Sequence, residues 1–190
     1  LSIIVDCCHL KLEENIRFTR TYAEKAHAAG LSVEGELGTI GGVEDGEMVK
    51  ESAMTDPEAA EYFVKETGVD LLAVAIGNSH GLYKGIPNLD LKRLEQIHKR
   101  VDIPLVLHGG SDLPDEQVKQ ALGLGIKKVN IGTDLKYAFA RSLKETLTYE
   151  PMPYQPPAVM EKAREAMYSV ACSKIELFGS VGFASYYISK

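Results

Sequence analysis

Cysteine is scarce in this chain, and its three thiols, Cys7, Cys8 and Cys172, cannot build a disulfide-stapled scaffold. That scarcity points to a reducing, cytoplasmic setting. Cys7 and Cys8 read as packed thiols rather than a redox pair, because neighbouring strand residues face opposite ways. Basic charge is short as well. Lys and Arg number 21 against 27 Asp and Glu, leaving a net charge of −6, which excludes an electrostatic footprint for nucleic acid. No apolar run approaches the ~20 residues that span a bilayer, so no membrane partner is expected. Residues 1–5 are too short, and lack the basic flank, for a secretion signal. Low-complexity tracts are missing too. What remains is 190 residues, 45% apolar and 25% charged, which suits one soluble domain over 1–190 with a full core. The chain opens at Leu1, already inside a strand-like run, and reads as a fragment.

Against these absences stands a clear rhythm. Apolar runs predict strands at 2–6, 32–37, 71–76, 104–108 and 128–131. Between them lie helical patterns: 12–29, stopped by Gly30; a helix started by Thr55-Asp56-Pro57 and ended by Gly68; 90–100; one opened by Pro114-Asp115-Glu116 and closed near Gly123–Gly125; and 134–148. A proline-rich linker at 151–157 precedes a last helix over 159–178. Successive βα units imply a parallel sheet. Asp6, Glu36, His80, His108 and Asn130 fall at or just beyond the C-terminal ends of the strands. In a parallel arrangement those ends share one rim, where barrel enzymes build their sites, whereas a doubly wound sheet uses a single crevice. The fold expected is α/β, of the (β/α)8 TIM-barrel type, with about the last five βα units present and three missing.

The motif Val33-Glu34-Gly35-Glu36-Leu37-Gly38, followed by Gly41-Gly42-Val43-Glu44, delivers two carboxylates from one strand. Residues two apart face the same way, so Glu34 and Glu36 project together. A pair of buried carboxylates calls for a compensating cation, and a metal is the natural one. His80, in Gly77-Asn78-Ser79-His80-Gly81-Leu82-Tyr83, and His108, in His108-Gly109-Gly110-Ser111, follow apolar strands and suit zinc. The bland alternative is two loop histidines without metal. The loops Gly109-Gly110-Ser111 and Asn130-Ile131-Gly132-Thr133 read equally well as an anion cradle or as ordinary βα turns. His27 and His98 read as surface residues and His9 as structural. Ser111 lacks the strained elbow of a nucleophile.

These segments together resemble the class II, zinc-dependent ketose-bisphosphate aldolases over essentially the whole chain. The form His108-Gly-Gly-Ser-Asp112-Leu-Pro114, with Thr133-Asp-Leu-Lys-Tyr-Ala-Phe139, is closer to the tagatose-bisphosphate branch than to typical fructose-bisphosphate enzymes. The resemblance implies cleavage of a ketose 1,6-bisphosphate, tagatose or fructose, to dihydroxyacetone phosphate and glyceraldehyde 3-phosphate. It makes His80 and His108 two of three catalytic zinc ligands, and gives Asp6 and Glu36 a second divalent or monovalent cation. Gly81, Gly109, Gly110, Ser111, Asn130, Ile131, Gly132 and Thr133 would grip the substrate. Residues 39–52 would form a mobile cover. Zinc would act as the Lewis acid that stabilises the enediolate.

Two departures stand out. The family's His-x-Asp-His-Gly element, which carries the general acid/base Asp and the third zinc His, is not in this sequence, so no proton-transfer residue is assigned here. Cys7-Cys8 stands where family members carry small residues. An open barrel leaves unpaired strand edges, and a homo-oligomer is expected. The alternative reading is a truncated, non-catalytic relative or subunit that binds metal and phosphate.

Overall fold

The computed structural model describes residues 1–44, 47–49, 52–83 and 85–185. Along the chain run β1 (Ser2–Val5), α1 (Leu12–Ala28), β2 (Ser32–Leu37), β3 (Gly41–Glu44), β4 (Glu47–Val49), α2 (Pro57–Thr67), β5 (Leu71–Val74), β6 (Ser79–His80), α3 (Leu91–His98), β7 (Leu105–Leu107), α4 (Asp115–Gly123), β8 (Ile126–Val129), α5 (Thr133–Leu147) and α6 (Pro156–Leu177). The chain forms two compact units, Leu1–Asn130 and Ile131–Lys190.

In the first unit every pairing of the main sheet is parallel, and the order β1-β2-β5-β7-β8 follows the chain. No reversal of order occurs, so the sheet has none of the switch points at which doubly wound folds bind ligands. Helices α1, α2, α3 and α4 pack each against the next in the same sequence. Central strands are buried throughout: Leu72 to Ile76 and Leu105 to Leu107 are essentially inaccessible, as expected of parallel strands covered on both faces. Phe63 of α2 drives into this core. It can do so because Gly35 of β2 has no side chain; a Cβ there would lie 2.9 Å from the Phe63 ring.

Local chemistry sets the element ends. Asp56 Oδ1 accepts hydrogen bonds from Glu58 N and Ala59 N at 3.0 and 2.9 Å, Pro57 fills the first turn, and Gly68 closes α2 in a left-handed conformation. In the second unit α5 and α6 pack along one another, and Lys174 Nζ meets Asp134 Oδ2 at 2.8 Å.

Three expectations need correction. The stretch 39–52, expected as a loop, contains an antiparallel hairpin: Gly42 pairs with Val49 and Val43 with Met48. Its first strand runs parallel to β6, Gly42 opposite His80, so β4, β3 and β6 form a second sheet. Strands of four and three residues with two glycines show no usable periodicity. Residues 45, 46, 50 and 51 of the expected cover lie outside the described residues. The fifth main strand begins at Ile126, not 128, because Gly125 O already accepts from Leu105 N. It ends at Val129 rather than 131, so the expected strand was displaced by two residues. Helix α6 starts at Pro156, inside the expected linker, since proline at a first helical position forfeits no hydrogen bond.

Candidate metal and substrate site

The extended backbone of β2 turns Glu34 and Glu36 to the same side, and both are buried. Between them lies His108, the first residue after β7. Its Nε2 is 2.8 Å from Glu34 Oε1, and its Nδ1 is 3.0 Å from Glu36 Oε2. The other oxygen of Glu34 accepts from Lys128 Nζ of β8 at 2.6 Å. The two carboxylates therefore already have cationic partners within the chain. The compensating cation expected for them, with a metal as the natural choice, is thus supplied in this structure by His108 and Lys128.

Burial works to lower the pKa of His108, but hydrogen bonds to Glu34 and Glu36 overcome it and hold the value up to about 9. For Glu34, burial pushes upward, yet His108 and Lys128 keep the carboxyl below its ordinary range. These shifts fix how the metal-free fold responds to pH. Stability from a raised His108 is complete below its ordinary 6.5 and disappears as pH climbs through about 9. Stability from a lowered Glu34 is present above its ordinary 4.5 and fades as pH falls below that value. Urea midpoints measured in chelator should accordingly be highest between about pH 4.5 and 6.5, decline from there to about pH 9, and level off above it. An equal decline in His108→Ala would show that another group is responsible.

The second imidazole is held by a separate network. Asn78, buried at the end of β5, accepts from Ile76 N at 2.8 Å and donates to His108 O at 2.9 Å. Ser79 Oγ donates to Gly41 O at 2.8 Å. Tyr83 Oη accepts from Ser79 N at 2.8 Å and donates to Gly109 O at 3.2 Å. These bonds bring the His80 and His108 rings edge to face, centroids 6.3 Å apart at 64°. Two imidazoles on one tetrahedral zinc have centroids roughly 5 to 6 Å apart, given the zinc–nitrogen bond length. The observed separation is slightly wider, and both His108 nitrogens face carboxylates, so a shared ion would need the rings to close up and Glu36 to give up Nδ1. A cavity of about 460 Å³ opens beside His80, lined by Gly41, Gly42, Met54, Ser79, His80 and Gly81 among others but not by His108.

Asp6, just past β1, lies with Cys8 and Glu36 so that one donor atom from each falls within 4.8 Å of the others. Asp6 is exposed, Cys8 half-buried and Glu36 buried. Burial first, and then a hydrogen bond to Asp6, push the Cys8 thiol far above its ordinary range. Gly110 N donates to Asn130 O at 3.1 Å, and Asn130 N to Leu107 O at 2.9 Å. The expected phosphate loops after β7 and β8 are therefore stitched together at their roots. Ser111 is buried. Ile131, Gly132 and Thr133 belong to the second unit, where Gly132 caps α5.

Sequence reasoning assigned no role to Lys128 or Tyr83. Lys128 was signalled only as one of two adjacent lysines in a strand, and Tyr83 sat unremarked in the His80 motif.

A profile described as fructose-bisphosphate aldolase class-II matches residues 1–183. A fructose-bisphosphate aldolase from Geobacillus stearothermophilus is 41% identical over 184 residues, which are 97% of this chain and 64% of the relative. Among solved structures, the YdjI aldolase from Escherichia coli aligns with a TM-score of 0.82 at 38% identity, covering 96% of this chain and 62% of that one. A fructose-bisphosphate aldolase from Campylobacter jejuni shares the fold, with a TM-score of 0.74 at 24% identity over 94% of this chain and 60% of its own. The chain spans less than two thirds of the length of each of these relatives.

Proposed function

We propose a function on one premise: the chain belongs to the class-II fructose-bisphosphate aldolase family. It takes part in metal-dependent cleavage of a ketose 1,6-bisphosphate, tagatose or fructose, to dihydroxyacetone phosphate and glyceraldehyde 3-phosphate. The fold is a (β/α)8 barrel, to which this chain contributes about five βα units. The protein works as a cytoplasmic homo-oligomer with no nucleic-acid or membrane partner. No helix among the described residues is long and apolar enough to cross a membrane.

One observation carries this reading: two imidazoles from different βα loops stand 6.3 Å apart, and one of them, His80, lines a cavity. His80 and His108 hold zinc, which when bound supplies Lewis-acid polarisation of the ketose carbonyl. Glu34, anchored by Lys128, keeps the His108 ring oriented through one nitrogen, the usual role of a carboxylate behind a metal-binding histidine. Asp6 and Glu36 hold a second cation. Gly81, Gly109 and Ser111 offer backbone N–H groups to the phosphate, while the N–H groups of Gly110 and Asn130 tie the two loops together at their roots. No residue of this chain is assigned as general acid/base or as a third zinc imidazole.

The test is a coupled assay of the full-length protein for glyceraldehyde 3-phosphate release from fructose and tagatose 1,6-bisphosphates. Turnover should vanish with chelator and return with Zn2+. Full turnover after metal removal would overturn the proposal. Stoichiometric metal binding with no turnover on either sugar would favour the non-catalytic alternative.

A further inference from the structure

We propose that the Cys8 sulfur is a third donor to the cation held by Asp6 and Glu36, making that site selective for a thiophilic divalent ion. The inference rests on the reading of Asp6 and Glu36 as cation ligands given above, and adds a ligand that changes which ion they hold.

The geometry begins with β1. Past Val5 the chain leaves the sheet and turns, with Leu10 N donating to Cys7 O at 3.0 Å. Cys8 N donates to Asp6 Oδ1 at 3.0 Å, and Thr39 Oγ1 donates to Cys8 O at 3.4 Å. These bonds fix the backbone of Cys8 from both sides. Its side chain joins Asp6 and Glu36, each offering one donor atom within 4.8 Å of the other two. Among the described residues this is the group of three or more His, Cys, Asp or Glu donors gathered that closely. Its burial is graded, from exposed Asp6 through half-buried Cys8 to buried Glu36. An ion arriving from solvent meets Asp6 first and finishes against Glu36.

Donor chemistry then sets the preference. Two carboxylate oxygens alone suit hard ions such as Mg2+, Mn2+ or a monovalent cation, whereas a thiolate shifts the balance toward Zn2+ and Co2+. When the metal–sulfur bond forms, the thiol proton leaves to solvent, so each ion bound there releases one proton. Glu36 remains shared, with one oxygen on His108 Nδ1 in the metal-free chain. The ion site and the imidazole site are therefore neighbours through a single carboxylate.

Cobalt reports the sulfur directly, because thiolate ligation gives a near-ultraviolet charge-transfer band that oxygen and nitrogen ligands do not. Co2+ titrated into the zinc-free, full-length protein should produce that band in the wild type and in Cys7→Ser and Cys172→Ser. It should be missing from Cys8→Ser, which still binds the ion but with Zn2+ affinity lowered by about 10- to 100-fold at this site. Mg2+ competition should become more effective in the same variant. Zinc X-ray absorption on the wild type needs no substitution and should show sulfur at about 2.3 Å. A wild type that binds two equivalents of metal without the band, or without sulfur near zinc, overturns the role of Cys8 and leaves Asp6 and Glu36 intact. If Asp6→Asn and Glu36→Gln bind as many metal ions as the wild type, the underlying cation site itself is wrong.

Discussion

Alanine at His80 or at His108 in the full-length protein is expected to lower kcat/KM by at least about 10³-fold, because the Lewis-acid contribution of a bound metal is several kcal/mol. Zinc content should fall in both variants. The two substitutions should nevertheless differ in a second measurement. His108 is buried, and its ring nitrogens are hydrogen-bonded to Glu34 and Glu36. Removing it strands two carboxylates in the interior, leaving only Lys128 on Glu34. Breaking a buried pair from one side costs about 3–5 kcal/mol. His80 is partly accessible, and its loss leaves that carboxylate cluster intact. His80→Ala should therefore lose activity at nearly unchanged urea midpoint, whereas His108→Ala should lose both. Undiminished turnover in His80→Ala, with the protein folded by circular dichroism, would remove the imidazole pair from the mechanism.

The sequence made the rim legible because strand ends are marked locally. Asp6, His80 and His108 lie past apolar strands and before glycine or a turn, Glu36 lies one residue from the end of β2, and the parallel sheet aligns its strand ends. Helix α2 was equally plain, since Asp56, Pro57 and Gly68 announce both its ends. What stayed hidden depends on pairing at a distance. His108 finds Glu34 across 74 residues, and Lys128 finds it across 94; no local pattern encodes either meeting. Lys128 was harder still, for a register slip of one residue would send it to the opposite face. The β3–β4 hairpin was missed because glycine at 41 and 42 suppresses any strand signal. Those glycines matter for packing rather than propensity, since β3 lies directly beside β6 and its His80.

Gly109→Ala should test how tightly the two imidazole loops are coupled, with an expected fall in kcat/KM of about 10²-fold. Gly109 adopts a φ of +60, which alone costs an L-residue about 1–2 kcal/mol. Space is the larger obstacle. A Cβ at this position would lie 2.7 Å from the Ser79 carbonyl carbon, 3.3 Å from His80 N and closer still to the Ser79 oxygen. These are backbone atoms, so no rotamer change relieves the clash. The loop after β7 and the strand carrying His80 must move apart. That shift strains the Tyr83 hydroxyl, which holds Ser79 N and Gly109 O together, and it separates His80 from His108. Catalytic geometry tolerates little such displacement: about 1 Å is enough for a 10²-fold loss. Gly30→Ala supplies the control. Its φ of +72 carries the same backbone penalty, but nothing lies within 4 Å of the added carbon. A larger stability loss in Gly109→Ala than in Gly30→Ala, with activity lost only at 109, would assign the effect to the approach of Ser79 and His80. Full activity in Gly109→Ala would mean that the two loops move independently, and that the 6.3 Å ring separation is not held by this contact.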